Sequence, residues 1–192
     1  KCFEKVIFSS DSQKYINIEL KKNNNLEIHK RGKKISSSIA SEFSVFFDYI
    51  MKQKKYLPLF FAHLRPTNPI RNVAIIRNVI KKFNKVGKNY SSIRTISEMA
   101  NPTFRSCILK NNRICSVIKN DFNMEKYWIP RQLFKKTYFP SCTIDIYKTK
   151  NILKNKSLWG NKIYGYVDKD LTVDIDTLED FKYAEFILKN RK

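Results

Sequence analysis

The stretch YLPLFFAHLRPTNPIRNVAIIRNVIKKF, residues 56–83, combines three patterns that together predict an α/β fold. Its first nine residues are almost continuously apolar, which is typical of a strand covered on both faces of a parallel sheet. Asn68 is a good helix N-cap and Pro69 suits the first helical position, so a helix is predicted to start there. The apolar residues that follow recur at helical spacing and predict one buried face: Val73, Ile76, Ile80 and Phe83.

Strand and helix patterns also alternate in the segments around this stretch. We predict strands over residues 4–10, 26–31 and 89–97, and helices over residues 11–24 and 36–55. Asp11 or Ser12 would cap the first helix. The second helix would bury one apolar face, formed by Ile39, Phe43, Phe46, Phe47 and Ile50. This β-α-β-α order predicts a mostly parallel sheet with helices on both faces.

The pattern changes after residue 100. Residues 104–118 read as a hairpin around Asn111 and Asn112, and a polar, aromatic loop follows. Two further strands, CTIDIYK and KIYGYVD, precede a closing helix that would bury Phe181, Ala184 and Leu188. We find neither a repeat nor a linker, so we predict a single domain over residues 1–192 with an α+β insertion at about 101–150.

Composition restricts the class of protein. Hydrophobic residues make up 42% of the 192 residues, which argues against disorder, and no apolar run is long enough for a membrane span. The net charge of +21 is compatible with nucleic-acid binding, but the lysines are scattered and no nucleic-acid-binding motif is present. We therefore favour a lysine-rich enzyme and keep a basic nucleic-acid-binding module as the less favoured alternative.

Cysteines, histidines and glycines exclude several kinds of site. No pair of the four cysteines has C-x-x-C spacing, so an intracellular, cytoplasmic protein with reduced thiols is expected. The two histidines are too few for a histidine-rich metal site, and each is interpreted as a strand-end residue. None of the four glycines forms a phosphate-binding loop pattern.

Asp174 and Asp176 form the pattern of the chain that most directly suggests a chemical role. In an extended segment, residues two apart project on the same face, and two neighbouring carboxylates suit a hard divalent cation such as Mg²⁺. The alternative is helix capping, because Asp176 or Thr177 could start the last helix while Glu179 and Asp180 favour its N-terminal dipole. The spacing alone leaves both interpretations open.

Basic residues follow two other predicted strands. Proline and an N-cap explain a strand-to-helix turn, but the turn does not require Arg65, which could bind a carboxylate or phosphate. Arg71, placed inside the predicted helix, is interpreted as structural. The segment PRQLFKKTYFPS, residues 130–141, is either a basic lip over an anionic substrate or a solvated loop that contacts another subunit.

The separate motifs occur together, and in this order, in a known family. FEKVIFSSDS, HKRGKKISSSIASE, LRPTNPIR, PRQLFKKTYFPSCTIDIYK and LTVDIDTLEDFKYAE resemble motifs of the acylneuraminate cytidylyltransferases, which are also called CMP-sialic acid synthetases. The similarity extends from about residue 3 to residue 188. It implies a Rossmann-like, three-layer α/β/α nucleotidyltransferase fold.

The resemblance also implies an activity. The anomeric hydroxyl of sialic acid or a related nonulosonic acid attacks the α-phosphate of CTP, and pyrophosphate leaves. Asp174 and Asp176 would hold Mg²⁺, and a homodimer is the family's habit. Nucleotide contacts would come from Arg31, Ser41 and Glu42, and contacts to the acidic sugar from Arg65, Arg131, Tyr138 and Ser141.

Several departures from the family pattern favour an alternative, a truncated or degenerate relative without catalysis. The family's opening IPARxGSKGxxxKN loop, with the first central strand of the sheet, has no counterpart here, and the chain alone is expected to be inactive without it. The chain starts at Lys1 rather than Met, so we expect residues upstream. Ser141 and Cys142 replace an asparagine–glycine pair, which affects the sugar site. The motifs do not identify the sugar.

Overall fold

The computed structural model of the protein describes residues 2–53, 56–117 and 123–190 and has an α/β architecture. Its strands are β1 (Val6–Ser10), β2 (Leu26–Lys30), β3 (Phe60–His63), β4 (Ser92–Glu98), β5 (Cys107–Lys110), β6 (Arg113–Ser116), β7 (Tyr138–Lys148) and β8 (Ile163–Val167). Its helices are α1 (Gln13–Lys22), α2 (Glu42–Lys52), α3 (Val73–Val86), α4 (Met124–Tyr127), α5 (Thr149–Lys154) and α6 (Leu178–Asn190). The α/β class predicted from the alternating patterns is confirmed.

The strands form three sheets. β1 and β2 pair in parallel, with Val6 opposite Leu26 and Ser10 opposite Lys30. A four-stranded sheet has the order β3-β7-β4-β8. β5 and β6 form the predicted antiparallel hairpin. Its turn residues, Asn111 and Asn112, have φ values of 47° and 61°, and asparagine tolerates this left-handed conformation better than most residues do.

The described chain divides into two compact units. The first contains residues 1–63, 77–93 and 146–164, and the second contains residues 64–76, 94–145 and 165–192. Each unit is built from several separated segments. Three of the boundaries between segments fall inside strands β4, β7 and β8, which therefore contribute residues to both units. The prediction of one domain over residues 1–192 stays a prediction.

The core of the first unit is rich in aromatic side chains. The Phe46 ring meets the rings of Phe61, His63 and Tyr147 edge to face, at centroid distances of 5.7, 5.2 and 5.3 Å. Trp159 packs edge-on against Tyr147 at 4.8 Å. Such pairs add attraction between ring edges and faces to the burial of apolar area. Helix α2 therefore buries its aromatic face as the sequence predicts.

Helix α2 nevertheless starts later than its apolar pattern extends. Ile39, predicted to belong to the buried face, lies before the helix and is 93% exposed. The helix begins at Glu42 because the Ser41 side chain accepts a hydrogen bond from the backbone N–H of Ser44 and acts as the N-cap. Residues 54–55 of the predicted helix lie outside the described residues.

The core of the second unit lies beneath helix α6. Ile70, Val173 and Ala184 are buried there, and Ile175 and Ile187 pack against them. The predicted burial of Phe181 and Leu188 is wrong, because these side chains are 52% and 48% exposed. Ala184 and Ile187, three residues apart, turn toward the core instead, and the larger apolar side chains of the helix face outward.

Within the described residues, no helix is both long enough and apolar enough to cross a membrane. Residues 118–122, which belong to the predicted insertion, lie outside the described residues.

Candidate functional site

Asp174 and Asp176 lie in the second unit, in a segment without regular secondary structure that leads into α6. Val173 is buried and Ile175 packs against the same core, whereas both aspartates are exposed. This alternation directs the two carboxylates away from the core, as expected for residues two apart in an extended segment. Neither aspartate takes part in a salt bridge within the described residues.

The N-terminus of α6 is capped by a different pair of residues. Thr177 Oγ1 accepts a hydrogen bond from Asp180 N–H at 3.2 Å, and Asp180 Oδ2 accepts from Thr177 N–H at 2.9 Å. Hydrogen bonds from Thr177 lower the pKa of the Asp180 carboxyl below its ordinary value. This reciprocal arrangement is a capping box. Capping therefore does not account for the carboxylates of Asp174 and Asp176.

We expect the Thr177→Val substitution to lower the free energy of unfolding by about 1 kcal/mol, the usual cost of losing an N-cap side chain. Valine keeps the shape of threonine, but it neither accepts the Asp180 N–H nor donates to the Asp180 carboxylate. Urea unfolding at pH 7 measures the change. The Thr172→Val substitution in the same segment is the matched control, because the Thr172 hydroxyl has no hydrogen bond within the described residues.

The same pair predicts a pH dependence. A carboxyl with a lowered pKa in the folded state stabilises the fold above its unfolded pKa, ordinarily 3.8 for aspartate, and loses that contribution as pH falls through the folded pKa. The stability difference between wild type and Thr177→Val should therefore shrink as the pH falls below about 4. A difference that stays constant down to pH 2 would contradict the capping role of Asp180.

The proline turn before α3 differs from its prediction. Asn68 is not the helix cap: it is fully buried, and its Nδ2 donates to the carbonyl oxygen of Ser141 at 2.6 Å. The helix begins at Val73, where Asn72 Oδ1 accepts the N–H of Ala74 at 2.9 Å. Pro69 accordingly lies before the helix. The physical reason is that a carbonyl 73 residues away in the sequence binds the Asn68 amide.

Arg71 also lies before α3 rather than within it. Its Nε donates to the carbonyl oxygen of Thr143 at 2.9 Å, and its Nη2 donates to the carbonyl oxygen of Arg65. Burial lowers the pKa of the Arg71 guanidinium, the Arg65 charge acts in the same direction, and the Asp174 charge opposes both. Arg71 therefore ties the turn to strand β7.

Arg65 is held by an internal carboxylate that the sequence analysis missed. Its Nη1 lies 2.6 Å from Oδ2 of Asp145, which is fully buried on β7. Arg94, on β4, approaches the other carboxylate oxygen, with 3.7 Å between Nε and Oδ1. One sequence signal could have indicated this: Asp145 interrupts an apolar strand, and a buried charge requires a partner.

Cys142 adjoins this ion-pair cluster. The residue has φ 57°, the left-handed region that favours glycine, and it occupies a position where the related motifs carry glycine. Burial raises the pKa of the Cys142 thiol, and the nearby Arg65 charge only partly opposes this. A hydrogen bond with Arg94 lowers the pKa of the thiol, but by less than burial raises it.

The proline turn before α3 is joined directly to the segment that carries Asp174 and Asp176. The N–H of Ile175 donates to the carbonyl oxygen of Thr67 at 2.8 Å. Asp174 interacts electrostatically with both Arg71 and Cys142. The second unit thus brings together an exposed pair of carboxylates and a cluster of arginines, although more than 100 residues separate Arg65 from Asp174 in the sequence.

The remaining residues predicted to contact the sugar lie in the same unit. Arg131 is exposed, and its Nη1 donates to the carbonyl oxygen of Ala100 at 3.3 Å. Tyr138, at the start of β7, is 40% exposed. Ser141 is buried, and its hydroxyl lies 3.2 Å from Thr143 Oγ1. Within the described chain, no hydrogen bond or ion pair joins Arg131 or Tyr138 to Arg65.

The residues predicted to contact the nucleotide lie in the first unit. Arg31 follows β2 and forms an ion pair with Asp11, with 2.9 Å between Nη2 and Oδ1. This hydrogen bond lowers the pKa of the Asp11 carboxyl. Ser41 caps α2, and Glu42 is the first residue of that helix.

The donor chemistry at Asp174 and Asp176 fits Mg²⁺, which prefers carboxylate oxygens and completes its coordination with water and substrate phosphates. The described residues contain no group of three or more histidine, cysteine or acidic side chains arranged to hold a metal. The protein would therefore contribute these two carboxylates and leave the other coordination positions to water and phosphate.

Comparisons with known proteins complete the description of the site. No family model matches the chain. The curated "Post-translational flagellin modification protein B" of Campylobacter coli is 25% identical over 197 aligned residues, covering 100% of this chain and 80% of that protein.

Solved structures share the fold at low sequence identity. A 4-diphosphocytidyl-2C-methyl-D-erythritol synthase from Anaerococcus prevotii has a TM-score of 0.60 at 11% identity, covering 98% of this chain and 80% of that one. A CMP:2-keto-3-deoxy-manno-octonic acid synthetase in complex with CTP has a TM-score of 0.57 at 8% identity, covering 96% and 81%. The predicted Rossmann-like α/β nucleotidyltransferase fold is thereby confirmed. The similarity to the flagellin modification protein and to the CMP:2-keto-3-deoxy-manno-octonic acid synthetase is consistent with the resemblance of the ordered motifs to the acylneuraminate cytidylyltransferase family.

Proposed function

We propose that the protein transfers CMP from CTP to an acidic keto-sugar, sialic acid or a related nonulosonic acid, and releases pyrophosphate. One observation carries this proposal: the second unit joins the exposed Asp174 and Asp176 carboxylates to an arginine-rich turn through the hydrogen bond from Ile175 to Thr67. A pair of carboxylates suits a cation that accompanies a triphosphate, and arginines suit an acidic sugar.

Charge neutralisation and positioning would perform most of the catalysis. The anomeric hydroxyl attacks the α-phosphate and loses its proton to water, the bond between the α-phosphate and the bridging oxygen breaks, and the bridging oxygen leaves with the pyrophosphate. Nucleotidyl transfers of this type need little covalent help from the protein. Asp174 and Asp176 would hold Mg²⁺, which when bound would neutralise charge on the triphosphate.

The proposal assigns nucleotide contacts to Arg31, Ser41 and Glu42 of the first unit. Arg31 is already oriented by Asp11, so its guanidinium is held in one direction before CTP binds. An oriented guanidinium loses less side-chain entropy when it binds phosphate. Support for these assignments comes from the motif HKRGKKISSSIASE.

Arg65, Arg131, Tyr138 and Ser141 are proposed to contact the acidic sugar. Arg65 has the strongest structural support. Asp145 fixes its position, and Arg65 lies in the turn that is hydrogen-bonded to the segment carrying Asp174 and Asp176. The Ser141 hydroxyl has an internal neighbour in Thr143, so its proposed contact to the sugar would run through the same hydroxyl pair.

We also propose a homodimer that uses the insertion at about 101–150. The β5–β6 hairpin in this segment leaves the side chains of Ile108, Leu109 and Ile114 between 42% and 69% exposed. Burial of such side chains favours association. Because the reaction consumes CTP, the proposal places the enzyme in the cytoplasm.

The test measures pyrophosphate release by the full-length protein with CTP, Mg²⁺ and a panel of acidic sugars. We expect release with at least one of N-acetylneuraminate, legionaminate, pseudaminate or 3-deoxy-manno-octulosonate, and formation of the matching CMP-sugar. Chelation with EDTA should stop the reaction. Absence of product with every sugar would overturn the proposal and favour a non-catalytic relative, whereas steeply salt-dependent binding to nucleic acid would favour the basic module.

A further inference from the structure

Packing places Arg71 next to Asp174. Ile70 and Val173, which precede these two residues in the sequence, are buried in the same apolar core. The hydrogen bond that joins the proline turn to the segment carrying the aspartates holds the residue on the other side of Asp174. Arg71 and Asp174 also interact electrostatically. The fold thus brings one arginine to one of the two carboxylates that are proposed to hold the metal.

Two backbone carbonyl oxygens hold the Arg71 guanidinium. Its Nε donates to the carbonyl oxygen of Thr143 at 2.9 Å, and its Nη2 donates to the carbonyl oxygen of Arg65. Carbonyl groups are neutral acceptors, so these hydrogen bonds orient the guanidinium without cancelling its charge. Because arginine stays protonated at neutral pH, a fixed positive charge lies beside Asp174.

A fixed positive charge in this place acts in opposite directions on two ligands. It repels a free divalent cation and so lowers the affinity of Asp174 and Asp176 for the cation alone. The complex of CTP with one divalent cation keeps a net negative charge, so the same guanidinium attracts that complex. Arg71 therefore changes the relative affinities of the site for the two ligands.

We propose that Arg71 makes the site selective for the complex of CTP with a divalent cation over the free cation. This inference rests on the proposed function, which assigns the cation to Asp174 and Asp176. It gives Arg71 a role in ligand selection in addition to its hydrogen bonds to the backbone. It also means that the protein takes up cation and nucleotide together rather than one after the other.

Two titrations of Arg71→Gln test the proposal. Glutamine removes the charge and keeps an amide that donates hydrogen bonds to carbonyl oxygens. Arg71→Gln should bind Mn²⁺ alone, followed by electron paramagnetic resonance, about 3- to 10-fold more tightly than wild type does. It should bind CTP premixed with an equal amount of Mn²⁺ about 3- to 10-fold more weakly, measured by isothermal titration without sugar.

Two control variants separate the charge from the hydrogen bonds and from the general charge of the chain. Arg71→Lys keeps the charge and alters the hydrogen bonds, so both affinities should stay within about twofold of wild type. Lys189→Gln removes a positive charge near the far end of α6 and should leave both affinities unchanged. Lys189 lies roughly 16 Å along the helix from Leu178, which exceeds the Debye length of about 10 Å at 0.1 M salt.

Wild type gives a further measurement in case Arg71→Gln fails to fold. Mn²⁺ alone should occupy its site only above about 1 mM, whereas CTP premixed with Mn²⁺ should bind at concentrations at least about tenfold lower. Equal affinities for the two ligands would overturn the inference without any variant.

Only opposite changes of the two affinities in Arg71→Gln support the inference. Changes in the same direction indicate a structural role and overturn it, as does an unchanged affinity for either ligand. Opposite changes support the inference even if pyrophosphate release never occurs, in which case only the proposed transfer reaction fails. Release by wild type together with unchanged affinities in Arg71→Gln leaves the function standing and rejects the inference.

Discussion

Replacing Asp176 by alanine should lower the rate of Mg²⁺-dependent pyrophosphate release by at least about 100-fold, which corresponds to about 3 kcal/mol of lost transition-state stabilisation. The reason is that Asp174 and Asp176 are exposed, lie on one side of their segment and have no capping role. Under the proposed metal role, removing either carboxylate would leave one protein ligand for the cation. Asp174→Ala should therefore have a similar effect, measured by the initial rate at saturating CTP.

Binding of the metal gives a second readout that does not depend on turnover. Titration with Mn²⁺, followed by electron paramagnetic resonance in the presence of CTP, should show weaker binding to Asp176→Ala than to wild type. Glu179→Ala is the matched control, since Glu179 is an exposed acidic residue three positions farther along, in the first turn of α6. We expect its rate to stay within about twofold of wild type.

Two results would contradict the metal role. The first is near-full activity of Asp176→Ala. The second is an equal loss of activity in Glu179→Ala, because a general reduction of negative charge near α6 would then explain both variants. Urea unfolding of each variant shows whether a loss of stability accounts for its loss of activity. The capping contacts of Thr177 and Asp180 do not involve the Asp176 carboxylate, so we expect little change in stability.

Much of the fold could be predicted because local patterns agree with it. The hairpin turn at Asn111 and Asn112, the Ser12 cap of α1 and the aromatic face of α2 all follow from neighbouring residues. The errors occur where a distant partner determines the local structure. Asn68 is an acceptable N-cap by local rules, yet the backbone carbonyl of Ser141 binds its side chain and the helix starts at Val73.

In the candidate site, too, local patterns predicted some features and distant contacts determined the others. The spacing of Asp174 and Asp176 correctly indicated one exposed side, because two residues in an extended segment determine it. The spacing did not decide between capping and metal binding, since that required the contacts of Thr177 with Asp180. The contact between Arg65 and Asp145 spans 80 residues, and local patterns contain no information about such pairs.

The second large effect is expected at Asp145. Asp145→Asn should lower the free energy of unfolding by about 3 kcal/mol, because removing one partner of a buried ion pair leaves an uncompensated charge. Asparagine keeps the size of the side chain and one carbonyl oxygen, so the loss reports mainly on charge. Urea unfolding at pH 7 gives the change in free energy, and the slope of the transition shows whether the folded state stays compact.

Asp168→Asn is the matched control for this prediction. Asp168 is also a buried aspartate of the second unit, and it accepts hydrogen bonds from Thr143 Oγ1 at 2.7 Å and from the N–H of Asp170 at 3.0 Å. Within the described residues it has no ion pair, so we expect a smaller loss of about 1 kcal/mol, the usual value for a hydrogen bond.

The comparison of the two aspartates decides what Asp145 does. A much larger loss at Asp145 means that the Arg65 charge depends on this carboxylate, as a positioning role requires. The Arg65→Met, Arg94→Met, Asp145→Leu triple variant should then recover part of the stability, because apolar residues of similar size often replace a buried ion-pair cluster without a net cost. It should not recover binding of the acidic sugar, because stability needs only a compact core, whereas binding needs guanidinium groups held in place. Equal losses at Asp145 and Asp168 would instead mean that burial of a polar group accounts for both, and Arg65 would need another source of orientation.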